Sequence, residues 1–587
     1  MNFHPGVMVP MRDGVRLAMD LYLPPAPGSA PGSAPGSAAD NVPTPVLLER
    51  TPYGRSMPRR VLDAQFFACH GYAVAMQDVR GRFDSEGQWR PFLDDPGDGY
   101  DTIAWLAEQP WCNGRVATMG ASYAGTVQSA TATLNPPALR AMVVVTAAAD
   151  AYRVTLRHGG ALELRWVSFV FNMAATSKEA QADPELARAL REAAADLEPW
   201  LRRPPTQPGQ TPLRALPTYE QWLIDVLRHT ERDAFWRQRC FAPLDYLAEY
   251  ADVPTLHVGG WYDSYAGATC EAFNRLRAAK KSRQCLIMGP WEHTALEDRV
   301  AGELDFGPQA VRHHNLLRLA WFDRYLKDKP NEVDHWPDAQ LFIMGGSSGG
   351  GRRTVLGQID RGGSWHGASQ FPPDTVRGAP YYLHADGTLR PDAPEHDAPP
   401  SRFTFDPDHP VPSIGGCVSA APAYLRPGGY DQRARKGWIA CDDDRPLSDR
   451  PDVLCFLTDP MTRPLRIVGP ITVELFVAST AADTDFTAKL VEVYPASDEN
   501  PKGLAINLTD GIRRAGGLRG VTPVTIDLFP TACLVLPGHR LRLDISSSNF
   551  PRFDLPPSVP GSAPESAYQS VYHDPARRSR VILPILR

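Results

Sequence analysis

Ser122, Asp263 and His293 have the side-chain types that nucleophilic attack on a carbonyl requires. A serine hydroxyl is inert at neutral pH. It attacks only when a base takes its proton, an acid holds that base in place, and donors receive the oxyanion that forms. Ser122 lies in Val116-Ala117-Thr118-Met119-Gly120-Ala121-Ser122-Tyr123-Ala124-Gly125, an apolar strand running into a corner of small residues that opens a helix. Such a corner exposes Oγ at a sharp turn. It departs from the usual glycine spacing, because Ala124 stands two residues after the serine and the second glycine is Gly125. Taken alone, the corner is more often an ordinary strand-to-helix turn. Likewise, His293 is one of 15 histidines, and a histidine after a strand is usually a polar loop residue. Asp263 could simply cap a helix beginning near Tyr265.

The elements around these residues decide between the readings. Short apolar runs at 45–48, 73–77, 116–121, 141–145, 253–258 and 284–288 end in polar or Gly-rich punctuation and alternate with helical stretches such as 98–108 and 309–326. That is the pattern of a mostly parallel sheet. Tyr53, Ser122, Asp263 and His293 each follow a predicted strand end, and an open parallel sheet gathers its functional groups at the carboxyl edge. Ser, Asp, His is also the chain order of an α/β-hydrolase fold. In that arrangement neutral His293 would accept the Ser122 proton and return it to the leaving group, and ionised Asp263 would fix the imidazole tautomer.

The remaining texture gives the domain plan: 1–149 as the first part of the α/β-hydrolase domain, 150–249 as a helical cap insertion in which the strands stop, 250–370 as the second part, and 371–587 as an all-β jelly-roll sandwich. Met8 to Tyr22 reads as a hairpin around Asp13-Gly14. The Pro-Gly-Ser-Ala repeat from Pro27 to Ala38 and the Gly/Ser-rich segment from Gly345 to Gly351 read as loops.

Composition narrows the partners. The 587 residues are 43% hydrophobic and 22% charged with a net charge of −6, which argues against a nucleic-acid binder and favours a small, neutral or modestly charged substrate. The nine cysteines are scattered without ligand or redox spacing, so a reduced interior with no metal and no cofactor is expected. With no apolar run long enough to span a bilayer, and no basic-then-apolar start, the expected location is the cytoplasm, away from membranes.

The chain resembles the cocaine esterase-like serine hydrolases, relatives of the X-Pro dipeptidyl-peptidases and α-amino acid ester hydrolases. The likeness rests on Arg12-Asp13-Gly14-Val15-Arg16-Leu17, Thr51-Pro52-Tyr53, Asp78-Val79-Arg80-Gly81-Arg82 with Ser85-Glu86-Gly87, Gln109-Pro110-Trp111 and the Ser122 corner. It continues through Gly260-Trp261-Tyr262-Asp263, Gly289-Pro290-Trp291-Glu292-His293, Phe405-Asp406-Pro407 with Pro410-Val411-Pro412, and Ser546-Ser547-Ser548-Asn549-Phe550-Pro551-Arg552-Phe553. The resemblance implies a triad of Ser122, Asp263 and His293 and an oxyanion hole from the Tyr53 hydroxyl and the Tyr123 backbone N–H. It also implies a pocket wall at Trp166, a small ester or amide substrate, and a homodimer by analogy. The shifted Gly125 is the family's own version of the corner. Relatives that bind a free α-amino group place carboxylates near the triad aspartate, whereas here Asp263 is followed by Ser264-Tyr265-Ala266-Gly267; Glu163 is the candidate for a substitute anion. Ester cleavage is therefore the leading expectation and X-Pro dipeptidyl-peptidase or other aminopeptidase/acylase activity the second. A third, of another class, is a non-catalytic scaffold that binds through the β-sandwich.

Overall fold

The computed structural model describes residues 1–25, 42–293, 296–347, 351–420, 424–556 and 564–587. The Pro27 to Ala38 repeat lies outside the described residues. The N-terminal hairpin forms as expected, β1 (Asn2–Pro10) pairing antiparallel with β2 (Arg16–Leu23). The α/β part then runs β3 (Thr44–Thr51), α1 (Pro58–Cys69), β4 (Ala73–Asp78), α2 (Asp95–Ala107), β5 (Cys112–Ala121), α3 (Tyr123–Ala132) and β6 (Leu139–Val145). Beyond a helical segment, it resumes as β9 (Thr255–Gly260), α10 (Ala266–Ala279), β10 (Gln284–Gly289), α11 (His314–Leu326) and β11 (Ala339–Met344).

Pairing gives the order β1-β2-β4-β3-β5-β6-β9-β10-β11, parallel from β4 onward. Side chains alternate strictly between two cores. Val46, Leu48, Ala73, Ala75, Val116, Met142 and Val144 face α2, α3 and α10, whereas Leu47, Val74, Met76, Ala117, Met119, Ala141 and Val143 face α1 and α11. Both faces are covered by helices, which is why these strands read as continuous apolar runs instead of an in-out alternation.

Proline positions account for the shifts of two expected helix starts. The helix expected at 98–108 starts at Asp95 because Pro96 is tolerated in a first turn. The one expected at 309–326 starts at His314, since Pro308–Ala310 closes a separate 3₁₀ turn. Gly345, expected in an exposed loop, is buried and donates to the Gly362 carbonyl at 3.0 Å.

Between β6 and β9 lie α4 (Ala151–Val154), α5 (Arg165–Ala175), α6 (Lys178–Ala182), α7 (Pro184–Ala195), α8 (Glu198–Arg202) and α9 (Pro217–Arg228). One expectation fails here: strands do not stop, because β7 (Arg157–His158) and β8 (Ala161–Leu162) form a small antiparallel pair. Four such residues carry no periodicity for a sequence reading to detect. The segment is packed by its own aromatics and aliphatics, with Trp166, Phe171, Leu190, Trp222, Leu223 and Trp236 all buried.

The C-terminal region is built from long antiparallel strands. Leu465–Ser479 pairs with Thr522–Val535 in one sheet, and Asp483–Tyr494 with Leu504–Gly516 in another. Their apolar faces share one core that includes Val473, Leu475, Ile526, Phe486, Leu490 and Leu508. The first of these sheets is continuous with the α/β sheet: Met344 of β11 pairs with Cys533, and β11 also pairs antiparallel with Gly363–Ala368. No described helix is long and apolar enough to cross a membrane.

The β5–α3 corner depends on close approach. A Cβ on Gly125 would lie 2.7 Å from the Val145 carbonyl and 3.0 Å from the Ala147 Cβ. Gly125→Ala is expected to cost about 1–3 kcal/mol of stability by overpacking, measured by urea unfolding. An unchanged midpoint would mean that the corner does not need the contact.

Candidate active site

The corner holds Ser122 at φ 60° and ψ −119°, a backbone region a side chain avoids. Neighbours over-determine it: the Ser122 N–H donates to the Val145 carbonyl at 3.0 Å, and its carbonyl accepts from Gly125 and Thr126 at 3.0 and 2.8 Å. Tyr123 is the first residue of α3, so its N–H belongs to the donors that a helix start leaves without intrahelical partners.

Ser122, His293 and Asp263, far apart in sequence, meet in one hydrogen-bonded line. His293 Nε2 lies 3.0 Å from Ser122 Oγ, and Nδ1 lies 3.0 Å from Asp263 Oδ2. A carboxylate only accepts, so the network assigns the proton to Nδ1 and leaves Nε2 to accept from the serine hydroxyl. Asp263 is fully buried, and its second oxygen accepts from the Tyr265 N–H at 3.0 Å. The two loops that carry Asp263 and His293 are bonded to each other. Tyr262 N–H donates to the Trp291 carbonyl at 3.1 Å, and a Cβ on Gly260 would fall 2.2 Å from that carbonyl oxygen. The Tyr265 ring stacks on the imidazole, with centroids 5.3 Å apart and planes 25° apart.

Tyr53 sits on the loop after β3. Arg55 pins that loop by donating through its backbone to Asp78 Oδ1 at 2.7 Å and through its guanidinium to Asp78 Oδ2 at 2.5 Å and Asp20 Oδ1 at 2.9 Å. Burial pushes the Tyr53 phenol up to about 12, Tyr265 adding to the effect and the Ser122 hydroxyl offsetting it, so Tyr53 stays a donor throughout the neutral range. The Tyr123 side chain points the other way: its hydroxyl donates to Asp95 Oδ2 at 2.7 Å and accepts from Phe92 N–H at 2.8 Å. Only its backbone is available to the site. Together these groups provide a base-paired hydroxyl, an oriented imidazole and two donors, the equipment for acyl transfer.

Ser122, His293 and Tyr53 open into a cavity of about 710 Å³. Trp166 lines it, as expected, beside Phe92 and Phe169. Glu163 does not. The candidate anion is 1% exposed and outside the lining, 2.5 Å from Arg165 Nε and 3.6 Å from Arg552 Nη2, with His158 Nε2 3.2 Å away. Sequence reading put the acid at the wall, whereas the structure puts its partner Arg165 there, stacked over Trp166 and Tyr265 at 4.3 and 5.0 Å. Arg165, Arg82 and Tyr265 are the site residues sequence reasoning missed. Arg82 and Tyr265 stand inside stretches already named, Asp78 to Arg82 and Ser264 to Gly267, with no signal that gives either a place in the cavity, and nothing in the sequence pairs Glu163 with Arg552. A second cavity, of about 860 Å³, lies between the helical segment and the C-terminal strands and contains none of the Ser122, His293 or Tyr53 side chains.

Burial alone would raise the Glu163 carboxyl, but Arg165, His158 and Arg552 outweigh it and hold it at about 2. A carboxyl depressed in the folded state stabilises above its unfolded value near 4.5, and that contribution is lost as pH falls toward 2. Glu163→Gln is therefore expected to lose about 3–5 kcal/mol at pH 7 by stranding Arg165. The gap to wild type should narrow as pH falls below about 4.5. Chemical unfolding at pH 7 and at pH 3 checks this, and a gap that stays constant would refute it.

Residues 13–295 match the family model of the X-Pro dipeptidyl-peptidase (S15 family), and residues 331–582 match that of the X-Pro dipeptidyl-peptidase C-terminal non-catalytic domain. A cocaine esterase from Rhodococcus sp. (strain MB1 Bresler) is 34% identical over 628 residues, covering 99% of this chain and 98% of the relative. Among solved structures, an aminopeptidase from the marine sediment archaeon Thaumarchaeota archaeon is 25% identical with a TM-score of 0.75, covering 100% of this chain and 97% of that one. An α-amino acid ester hydrolase is likewise 25% identical with a TM-score of 0.73, covering 100% and 96%. These likenesses extend over an α/β-hydrolase sheet and a C-terminal β domain, and the chain belongs to the cocaine esterase-like (CocE/NonD) family of serine hydrolases, enzymes related to the X-Pro dipeptidyl-peptidases and α-amino acid ester hydrolases.

Proposed function

We propose that this enzyme cleaves carboxylic esters of small acyl groups through an acyl-enzyme on Ser122. The reading is carried by the 3.0 Å contacts that join Ser122 Oγ to His293 Nε2 and His293 Nδ1 to Asp263. Ser122 Oγ attacks the ester carbonyl as its proton moves to His293 Nε2, and Asp263 stabilises the imidazolium. The oxyanion accepts hydrogen bonds from the Tyr53 hydroxyl and the Tyr123 N–H, the latter at the positive end of α3. Collapse of this intermediate expels the alcohol, which takes the proton from His293. Water, deprotonated by the same imidazole, then attacks the acyl-enzyme and releases the acid. The full-length likeness to a cocaine esterase supports ester substrates. The described cavity lining contains no carboxylate, which weighs against a peptidase that must anchor a free amine.

The helices α4–α9 act in this reading as a cap over the cavity, and the C-terminal strands as a jelly roll that supports it. The α5 residues Trp166 and Phe169 in the cavity wall support the first assignment. The two stacked antiparallel sheets support the second. The cytoplasm is the proposed location, consistent with nine cysteines that are all free thiols.

Ser122→Ala should abolish hydrolysis of p-nitrophenyl butyrate and labelling by a serine-directed phosphonate while leaving thermal unfolding unchanged. Tyr53→Phe should lower kcat by about 10²-fold with a smaller change in KM. Gly-Pro-p-nitroanilide should remain uncut by wild type. Efficient cleavage of that anilide would replace the esterase reading with the dipeptidyl-peptidase one, and wild-type turnover in Ser122→Ala would end both.

A further inference from the structure

The wall of the Ser122 cavity carries charge of one sign. Its described lining includes two guanidinium groups, Arg82 and Arg165, and no carboxylate. Asp263 is fully buried behind His293 and does not reach the cavity.

Arg82 is 1% exposed, yet all its hydrogen bonds go to neutral oxygens. Nε donates to the Pro52 carbonyl at 3.0 Å, Nη1 to the Met173 carbonyl at 2.9 Å and the Tyr219 hydroxyl at 2.8 Å, and Nη2 to Thr176 Oγ1 at 2.8 Å. Among the described residues it makes no ion pair. A buried cation solvated only by dipoles keeps its field, and low-dielectric walls focus that field into the adjoining space.

Arg165 does have a counterion, but on the side away from the cavity. Asp510 binds Arg552, Arg552 lies 3.6 Å from Glu163, and Glu163 binds Arg165 at 2.5 Å. This row of alternating charges ends on a cation at the wall, its Cζ lying over the Trp166 and Tyr265 rings.

We propose that Arg82 and Arg165 select the substrate class of this site: esters whose acyl group is neutral or ends in a carboxylate are taken, and those whose acyl group carries an ammonium are rejected. This rests on the ester-hydrolase reading above. A carboxylate reaching Arg165 gains a charge-assisted hydrogen bond, whereas an ammonium enters a desolvated space facing two like charges and no acceptor of opposite charge.

Three p-nitrophenyl esters of equal acyl length test it: hexanoate, adipate with its free carboxylate, and 6-aminohexanoate. For wild type, kcat/KM for the 6-aminohexanoate ester is expected to fall about tenfold or more below that for the hexanoate ester, with the adipate ester equal to or above hexanoate. In Glu163→Gln/Arg165→Gln, which removes both charges of the buried pair and leaves Arg552 with Asp510, the adipate to 6-aminohexanoate ratio should drop by about tenfold, whatever the absolute rates. A wild-type ratio at or below one overturns the proposal. A ratio that the double variant leaves unchanged overturns the role of Arg165. If the double variant does not fold, the wild-type series still decides, and Arg165→Lys should retain the ratio. If wild type cleaves none of the three esters, the ester-hydrolase reading falls. Calorimetric binding of adipamate against 6-aminohexanamide then decides the charge selection, and tighter binding of the cationic amide overturns it.

Discussion

Everything at this site depends on a serine held at φ 60° where a parallel strand meets a helix. That conformation costs of order 1–3 kcal/mol for a non-glycine residue, so it persists only where surrounding packing leaves no alternative. The second glycine supplies part of that constraint. Gly125 lets α3 approach the end of β6 so closely that the Val145 carbonyl, which accepts from the Ser122 N–H at 3.0 Å, sits against the helix backbone. The glycine one residue later than usual thus works through helix-to-strand contact. Gly120, at φ 141° near the end of β5, makes room on the other side of the corner, where a Cβ would fall 2.6 Å from the Ala124 Cβ.

Around this fixed point the sheet edge brings in the other groups, and loops bonded to one another hold them there. Asp263 and His293 follow β9 and β10, adjacent parallel strands paired from Thr255 with Gln284 to Gly260 with Gly289. The Tyr262 N–H bond to the Trp291 carbonyl carries that register two residues beyond the strands. Tyr265 then acts on both partners, its N–H on the carboxylate and its ring on the imidazole. The proposed oxyanion donor Tyr53 is fixed differently, through the buried Arg55 ion pairs with Asp20 and Asp78. Burial lifts Asp78 to about 6 even with that guanidinium alongside. Hydrophobic packing builds the sheet, and buried charge aims the loops.

This division explains what could be read from the sequence. The strands, the hairpin around Asp13-Gly14 and the chain order of Ser122, Asp263 and His293 are local or periodic signals, and they were legible. So was the wall position of Trp166, through family likeness. The Glu163 to Arg165 exchange was not, because the side chain that reaches the cavity is set by a third group, Arg552, 387 residues from Arg165 in sequence. The β7–β8 pair was missed because two residues per strand give no period. The expected break at 370 ignores the Met344 to Cys533 pairing, which makes the sheet continuous across it.

The same long-range chain of contacts gives the C-terminal region a part in the site that its distance in sequence conceals. The stretch from Phe550 to Asp554 docks directly on the start of the helical segment. Leu164 N–H donates to the Arg552 carbonyl at 2.9 Å, Asp554 N–H to the Leu162 carbonyl at 2.9 Å, and Leu162 N–H to Asp554 Oδ1 at 2.7 Å. These bonds bracket Glu163, and Arg552 supplies charge beside it, so the residue that orients Arg165 is held on both flanks by the β region. In a buried row of alternating charges each member is stable only while the next is in place. The orientation of the cavity-wall guanidinium is therefore set jointly by the helical segment and by a domain that contributes none of the acyl-transfer groups.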